Sequence, residues 1–222
     1  EPSQGKGGIV RMRYYNADGG EAEMCGNGAR CFGNFAAALL HHDKTAPLPF
    51  ETIACVVTAT FEKDYNVTVN LTNPHSMQLF VLNADPTVGA DVHFLNTGVP
   101  HAVAFLDKLE GLDISRLGAY LRYHEAFSPK GTNANFARIL SPGHIAIRTY
   151  ERGVEDETLA CGTGMTACAL LHAVLTDAPS PIQVDVAGGD TLKVGFQRTG
   201  DRFTDVTLTG PADLVFTGDI QI

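Results

Sequence analysis

The chain carries the sequence Cys-Gly-x-Gly twice, at residues 25–28 and 161–164, and each copy opens an alanine-rich apolar stretch. Such stretches predict helices, so Cys25 and Cys161 are both expected at helix N-termini. The unpaired N–H groups and the dipole of a helix N-terminus stabilise a thiolate. The glycines after each cysteine leave room for a ligand carboxylate to reach the same N–H groups. We therefore predict two reactive thiols, each beside an anion site.

Two such thiols on opposite faces of one α-carbon could exchange its proton. The thiolate would remove the proton from one face and the thiol would return a proton to the other, which inverts the centre. The two helix dipoles would stabilise the charge that develops on the carboxylate. This pattern indicates racemisation or epimerisation of an amino acid without a cofactor.

The ordinary interpretation of a cysteine beside a glycine is a small buried residue. Two matching motifs at the start of two matching stretches favour the catalytic interpretation for Cys25 and Cys161. The other three cysteines have no such pattern, and we interpret Cys31, Cys55 and Cys168 as packing residues.

The rest of the chain is predicted to consist mostly of strands, because apolar residues recur there at every second position. The predicted strands are 9–15, 53–61, 66–71, 77–83, 91–96, 102–106, 135–139, 145–150, 182–186, 192–197 and 205–209. The predicted helices are about 28–42, 113–122 and 164–176. The first and third are apolar on nearly all sides, so each is expected inside a wrapping of strands. The repeated motif predicts two similar lobes with the active site between them.

Composition narrows the class of protein. The 222 residues are 44% hydrophobic, enough to fill one large core or two smaller ones. A net charge of -9 argues against nucleic acid as a partner. No stretch is long enough to span a bilayer, no signal peptide opens the chain, and five cysteines suit a reduced compartment, so we expect no membrane partner and a cytoplasmic location. No spacing of Cys and His predicts a metal site. The sequence leaves open whether the protein forms a homodimer.

Longer motifs surround both cysteines. Residues 16–31 and 151–164 closely resemble the two signatures of the diaminopimelate epimerase family, and Pro100-His101 and residues 131–136 resemble further segments of that family. The resemblance extends from residue 11 to residue 222. It implies cofactor-independent interconversion of LL- and meso-diaminopimelate, an amino acid substrate, in lysine and peptidoglycan precursor biosynthesis.

The resemblance also implies roles for individual residues. Cys25 and Cys161 would be the acid and the base, with His101 and Glu151 setting their protonation. The residues that the resemblance assigns to substrate binding are Asn16, Gly26, Asn27, Asn133, Glu151, Arg152, Gly162 and Thr163. Among these, Asn16, Asn133 and Arg152 would grip the distal end of the substrate. The backbone amides of Gly26, Asn27, Gly162 and Thr163 would hold the carboxylate at the reacting carbon.

Three of these residues also have simpler interpretations. Arg152 could close a surface ion pair with Glu151. Asn16 could belong to a turn, and His101 could be a hydrogen-bonded core histidine.

The fold that the resemblance implies is α/β, of the α+β type. It has two pseudo-symmetric lobes, each a mainly antiparallel sheet or barrel around a central helix, with the active site in the cleft between them. The first lobe would hold residues 1–73 with 211–222, and the second would hold residues 74–210.

The chain departs from the family pattern at two places. Val99 stands where the family has asparagine, and Asn96 is a candidate replacement. Family members begin with a strand and a Gly-Asn-Asp loop, whereas this chain starts beyond that point. We therefore expect an N-terminal segment to be missing from the first lobe or to exist separately.

Two other functions remain open on the sequence. A racemase for proline or hydroxyproline would use the same paired thiols, but the polar pair Glu151 and Arg152 has no evident use on proline. A non-catalytic or thiol-redox binding protein could join Cys25 and Cys161 in a switchable disulfide.

Overall fold

The computed structural model describes residues 1–15, 19–22, 24–63 and 65–218. The chain divides into two compact units. Unit 1 comprises Glu1–Val69 together with Thr209–Ile222, and unit 2 comprises Asn70–Leu208. The sequence-based boundaries, after residues 73 and 210, lie a few residues further along the chain.

Strands and helices alternate irregularly along the described residues. The α-helices are α1 (Gly26–Leu39), α2 (Ile114–Arg122) and α3 (Gly162–Thr176). The strands are β1 (Val10–Arg11), β2 (Tyr14–Tyr15), β3 (Glu21–Ala22), β4 (Leu48–Glu51), β5 (Val56–Phe61), β6 (Asn66–Asn70), β7 (His75–Asp85), β8 (Ala90–Asn96), β9 (Pro100–Phe105), β10 (Asn133–Ser141), β11 (His144–Glu151), β12 (Asp156–Thr158), β13 (Ile182–Asp185), β14 (Thr191–Thr199) and β15 (Arg202–Pro211). This mixture of helices and strands confirms the predicted α/β fold class.

Unit 1 is a small sheet with one helix against it. Its strands follow the order β1-β4-β5-β6, and β2 and β3 form a separate two-stranded sheet. The parallel pair β1 and β4 is followed by antiparallel pairs from β4 to β6. Ala36 and Ala37 of α1 pack on Leu48, with Phe32 and Phe61 beside them. Small side chains on one face of α1 therefore let the helix approach the sheet closely.

The other face of α1 is exposed, contrary to the prediction that strands wrap this helix. Phe35 is 59% exposed and Leu39 is 64% exposed. Only the face with Ala36 and Ala37 is in contact with β4 and β5 in the described part of unit 1. An apolar sequence predicted the burial of α1, but the described strands cover only one side.

Unit 2 holds the larger sheet, in the order β14-β13-β11-β10-β9-β8-β7. The pairs β9 with β10 and β11 with β13 are parallel, and the pairs β10 with β11 and β8 with β9 are antiparallel. α2 packs on β10 and β11, and its core contacts include Leu117, Leu121 and Phe136. Five consecutive residues at the start of β10 are buried, so this strand lies in the interior of the unit.

Helix α3 is buried along most of its length, as predicted. Leu170 and Leu171 are completely inaccessible, and Met165 is as well. The helix ends at Thr176, and its C-cap Asp177 has a left-handed backbone with φ of 57°. The buried helix fixes the position of its own N-terminus, where Cys161 lies.

None of the helices in the described residues is long and apolar enough to cross a membrane. All five cysteines of the chain are free thiols.

Candidate active site

Cys25 is the N-cap of α1, as the sequence predicts. Its backbone is extended, with φ of -139°, and its Sγ accepts a hydrogen bond from the N–H of Gly28 at 3.4 Å. Gly26 is buried and begins the helix, and Asn27 Oδ1 accepts from Arg30 Nη1 at 3.0 Å. The half-buried thiol therefore lies against the first turn, where helix N–H groups point outward.

Cys161 has the equivalent place in unit 2, at the N-cap of α3. Its backbone is also extended, with φ of -112°, and its Sγ lies 3.5 Å from Thr163 Oγ1. The carbonyl of Thr163 accepts a hydrogen bond from the buried Thr97 hydroxyl at 2.9 Å. The first turn that begins at Gly162 is thus held by the residue that follows β8 as well as by the helix itself.

The glycine that closes the second motif is required by close packing. A Cβ at Gly164 would clash with Asn135 Oδ1 and would lie 3.3 Å from Cys161 Sγ. Asn135 is completely buried on β10. The start of α3 therefore rests directly on a polar side chain of the sheet.

His101 lies on β9 and is completely buried. Its Nδ1 is 3.1 Å from Asn135 Nδ2. Burial, together with the nearby positive charge of Arg152, lowers the pKa of His101 to about 3. The imidazole is therefore neutral at physiological pH.

The side chain of Asn133 forms hydrogen bonds with the backbone of two other segments, at Pro100 and at Arg152. Its Nδ2 donates to the carbonyl of Pro100 at 2.9 Å, and its Oδ1 accepts from the N–H of Arg152 at 2.8 Å. The side chain is almost completely buried. In this structure Asn133 holds the segment before His101 and the backbone of Arg152 in fixed positions.

Glu151 and Arg152 do not form an ion pair with each other. Glu151 Oε1 accepts a hydrogen bond from Thr158 Oγ1 at 2.5 Å. The guanidinium of Arg152 donates to the carbonyl of Lys130 at 3.3 Å. Within the described residues no carboxylate lies within ion-pair distance of Arg152, which removes the surface ion pair as an explanation for this residue.

A pocket of about 450 Å³ opens beside Arg152. Two cationic side chains, Arg152 and Lys130, line it, together with the amides of Gln78 and Asn96. Its apolar wall includes Val99, the residue expected at the place of the family asparagine. No acidic residue is among the described residues that line the pocket, so it is suited to an anionic group such as a carboxylate.

Asn96 lines the same pocket as Val99, but its side chain is already engaged. Its Oδ1 accepts from the N–H of Gly98 at 2.9 Å. The amide nitrogen of Asn96 is the part that could serve a ligand in place of the family asparagine.

The structure thus places the predicted residues in two groups. In unit 2 it brings together His101, Asn133, Glu151 and Arg152 around the strand ends of β9, β10 and β11, and Gly162 and Thr163 follow Cys161 at the start of α3. In unit 1, Cys25, Gly26 and Asn27 form the start of α1. Asn16 lies outside the described residues. The chemical roles of all these residues stay predictions.

Two residues near the site were not predicted. Asn135 lies in a segment that resembles the family, yet only the structure reveals its contacts with His101, Thr149 and the start of α3. Lys130 belongs to a loop without a recognisable motif. An asparagine on a strand otherwise made of buried residues is the one signal that could have pointed to Asn135.

The remaining cysteine near this site has a different environment. Cys168 is completely buried within α3, and burial raises the pKa of its thiol.

In the described residues no group of three or more His, Cys, Asp or Glu side chains could hold a metal ion.

Comparison with solved structures shows to which fold the chain is similar. The fold resembles the crystal structure of a probable proline racemase from Agrobacterium radiobacter, with a TM-score of 0.65 at 19% identity over 90% of this chain and 68% of that chain. At this identity the likeness concerns the fold alone. The chain has the α/β fold of that structure, and each of its two units has a cysteine at a helix N-terminus.

The family follows from the sequence comparisons. The model of the family described as diaminopimelate epimerase matches residues 4–77 and 93–215. The diaminopimelate epimerase of Hydrogenobaculum sp. is 43% identical over 210 residues, which are 92% of this chain and 73% of that protein. That of Aquifex aeolicus is 41% identical over 214 residues, or 95% of this chain and 74% of that protein. The chain belongs to the diaminopimelate epimerase family, as the signatures around Cys25 and Cys161 predict.

Proposed function

We propose that this protein is an isomerase that interconverts LL- and meso-2,6-diaminopimelate by proton transfer between two thiols and one α-carbon. The observation that carries this proposal is the repeated helix start. Cys25 and Cys161 are both N-caps with extended backbones, and each is followed by a glycine that is the first residue of its helix. Relatives named diaminopimelate epimerase support the choice of substrate.

In the proposed reaction the substrate α-carbon has one sulfur on each face. One cysteine, as thiolate, takes the α-proton, and the electron pair of the C–H bond passes into the adjacent carboxylate. The other cysteine, as thiol, then gives its proton to the opposite face of the carbon. The configuration is inverted, and the two sulfurs have exchanged protonation states, so the enzyme is ready for the reverse reaction.

The first turns of α1 and α3 contribute electrostatic stabilisation in this scheme. Backbone N–H groups there would hold the carboxylate at the reacting carbon as its negative charge grows. Gly26 and Asn27 would supply them in one helix, and Gly162 and Thr163 in the other. No cofactor is needed, because the carboxylate itself takes up the charge.

The pocket beside Arg152 supports a substrate with a second carboxylate. Diaminopimelate carries one at its distal end, and Arg152 and Lys130 are the cationic side chains of that pocket. Proline has no distal carboxylate, so a proline racemase would leave these charges without a use.

The decisive test is deuterium exchange at the α-carbon of LL-diaminopimelate in D₂O, for the unmodified chain and for C25A and C161A. We expect each single variant to lose epimerisation by roughly 10²- to 10⁴-fold, because each removes one of the two proton carriers. C31S is the matched control, since Cys31 is exposed on α1 away from the helix start, and it should epimerise at the unmodified rate. Full epimerisation by either C25A or C161A would contradict the two-thiol mechanism.

The same assay separates the alternative functions. Exchange into proline or hydroxyproline, with none into diaminopimelate, would favour the racemase alternative. Absence of exchange into any of these amino acids, with reversible formation of a disulfide between Cys25 and Cys161, would favour a thiol-redox protein. A cytoplasmic location belongs to the proposal, and the five free thiols support it.

A further inference from the structure

A buried polar cluster connects three adjacent strands of unit 2 beneath the start of α3. His101 on β9 and Asn135 on β10 are completely inaccessible, and Thr149 on β11 is 2% exposed. Asn135 and Thr149 are paired residues of the antiparallel strands β10 and β11. Buried polar groups are costly unless they are hydrogen-bonded, so the bonding pattern of this cluster is strongly constrained.

The orientation of the Asn135 amide follows from its neighbours. One atom of the amide lies 3.0 Å from the carbonyl oxygen of Ala102, which can only accept a hydrogen bond. That atom must be Nδ2. The opposite atom, Oδ1, accepts a hydrogen bond from the Thr149 hydroxyl at 3.0 Å. The carbonyl of Ala102 decides the orientation, and the Thr149 hydroxyl, which can donate or accept, is compatible with it.

This orientation determines where His101 carries its proton. Asn135 Nδ2 has two hydrogens, and its distances of 3.0 Å to Ala102 O and 3.1 Å to His101 Nδ1 account for both. His101 Nδ1 must then accept, so the single proton of the neutral ring is on Nε2. Within the described residues, Nε2 is buried and has no hydrogen-bond partner. The ring thus presents a buried N–H donor that is unused in this structure.

We propose that Asn135 is a positioning residue that fixes the tautomer of His101, so that His101 serves the site as a hydrogen-bond donor through Nε2–H. The tautomer of His101 is argued independently of the proposed function, whereas the reaction in which its donor acts rests on that function. A neutral imidazole with its proton on Nε2 offers no basic nitrogen to the site, because Nδ1 is occupied by Asn135. His101 then assists by donating to an anion and does not itself take the substrate proton.

The place of Asn135 indicates where this donor acts. Its Oδ1 lies against Gly164, in the first turn of α3, and Cys161 Sγ is 3.3 Å from the position of a Cβ on that glycine. This neighbourhood makes an anion at the start of α3 the acceptor in the proposal. A thiolate on Cys161 and a carboxylate of the substrate share this chemistry, and the experiment below distinguishes them.

The test uses ¹⁵N-labelled histidine in the full chain, with NMR observation of the two ring nitrogens of His101. We expect a protonated Nε2 and an unprotonated Nδ1 at neutral pH. In N135D a carboxylate faces Nδ1 and accepts a hydrogen bond from it, so the proton should move to Nδ1 and the signals should exchange character. T149V is the matched control, because Ala102 O still orients the amide and the tautomer should be retained.

Two results would overturn the inference: an unmodified chain with the proton on Nδ1 or on both nitrogens, or an N135D variant whose His101 keeps the unmodified tautomer. Addition of diaminopimelate should shift the Nε2–H signal if the acceptor is a substrate carboxylate, whereas C161A should shift it without substrate if the acceptor is the thiolate. The tautomer is measured without turnover, so it is decided even if the chain proves inactive on diaminopimelate.

A kinetic comparison covers the case in which N135D does not fold. H101Q keeps an N–H donor near the position of Nε2, whereas H101M has similar length and no donor. We expect kcat for diaminopimelate to be at least about tenfold higher in H101Q than in H101M, which is the effect of one hydrogen bond to a charged group. Equal kcat values in two folded variants would contradict a donor role for His101.

Discussion

At the scale of single residues, Arg152 is the side chain that is best placed to bind an anionic group of a ligand. Its backbone N–H is held by Asn133, its guanidinium donates to a carbonyl, and it faces a pocket lined by no acidic residue among those described. A guanidinium can bind a carboxylate through two parallel hydrogen bonds. Arg152 therefore has the geometry of a substrate-binding residue, and its function can be separated from proton transfer.

We predict that R152Q raises KM for diaminopimelate by roughly 10- to 100-fold, because a hydrogen bond to a charged group contributes about 1.5–3 kcal/mol. The change in kcat should be smaller, since Arg152 would contact the distal end and not the reacting carbon in the proposed binding mode. Steady-state kinetics of α-proton exchange would measure both constants. K130Q should have a smaller effect on KM, because the Lys130 side chain is exposed to solvent.

Lysine provides the matched substrate for this prediction, since it is diaminopimelate with hydrogen in place of the distal carboxylate. Any exchange into lysine should be equally slow in the unmodified chain and in R152Q. If R152Q reduced exchange into lysine as strongly as exchange into diaminopimelate, Arg152 would act on the reaction centre and not on the distal carboxylate.

At the scale of elements, the two Cys-Gly-x-Gly motifs build helix starts with different supports. At α3, a Cβ on Gly164 would clash with the buried amide oxygen of Asn135, which other hydrogen bonds hold in place. At α1, a Cβ on Gly28 would lie 3.1 Å from Met12 Cε and 3.2 Å from a Tyr14 ring carbon, which are ends of side chains. Substitution of the last glycine of the motif should therefore be tolerated less well at Gly164 than at Gly28.

We predict that G164A lowers the free energy of unfolding by about 1–3 kcal/mol, the usual cost of overpacking a buried site. G28A should be close to neutral, because Met12 and Tyr14 can shift and alanine favours a helix over glycine by up to about 1 kcal/mol. Urea unfolding followed by far-UV circular dichroism would compare the two. Equal destabilisation by both substitutions would show that Asn135 is not the rigid neighbour that the structure indicates.

The sequence predicts the type of most elements but not their ends or their side-chain partners. Helices α1 and α3 begin two residues earlier than predicted, because in both the cysteine is the N-cap and the first glycine is already helical. Strand β4 was missed, since Pro49 lies within it and proline argues against a strand. The contacts of Asn135 could not be predicted, because they come from the pairing of three strands far apart in sequence.

At the scale of the whole molecule, a hydrophobic cluster can be described within each of the two units. Ala36 and Ala37 of α1 pack with Leu48 in unit 1, and Leu117 and Leu121 of α2 pack with Phe136 in unit 2. Compact units of one chain commonly open as separate cooperative regions, so substitutions in one need not change the other. The two units can therefore be tested by substitutions placed in each.

Glu51 is a residue of unit 1 whose ionisation should make folding depend on pH. Its buried carboxylate accepts hydrogen bonds from the N–H of Gln4, from the Ser3 hydroxyl and from the N–H of Lys6, each at 2.7 Å. These bonds, that from Gln4 foremost, outweigh burial and lower the pKa of Glu51 from 4.5 to about 2. A carboxyl group whose pKa is lower in the folded state stabilises that state above its unfolded pKa, and this stabilisation is lost as the pH falls toward the folded pKa.

We therefore predict that E51Q destabilises unit 1 at pH 7 and that the difference from the unmodified chain shrinks between pH 4.5 and pH 2. The amide nitrogen of glutamine cannot accept the bonds that both carboxylate oxygens accept from Ser3, Gln4 and Lys6, so residues 1–11 should lose protection. Hydrogen exchange at pH 7 should rise in peptides from residues 1–15 and 48–61 and stay unchanged in peptides from residues 133–151. G164A is the opposite control, with its increase expected in unit 2. If E51Q accelerated exchange equally in both sets of peptides, the two units would unfold as one, and the pH dependence of Glu51 would belong to the whole molecule.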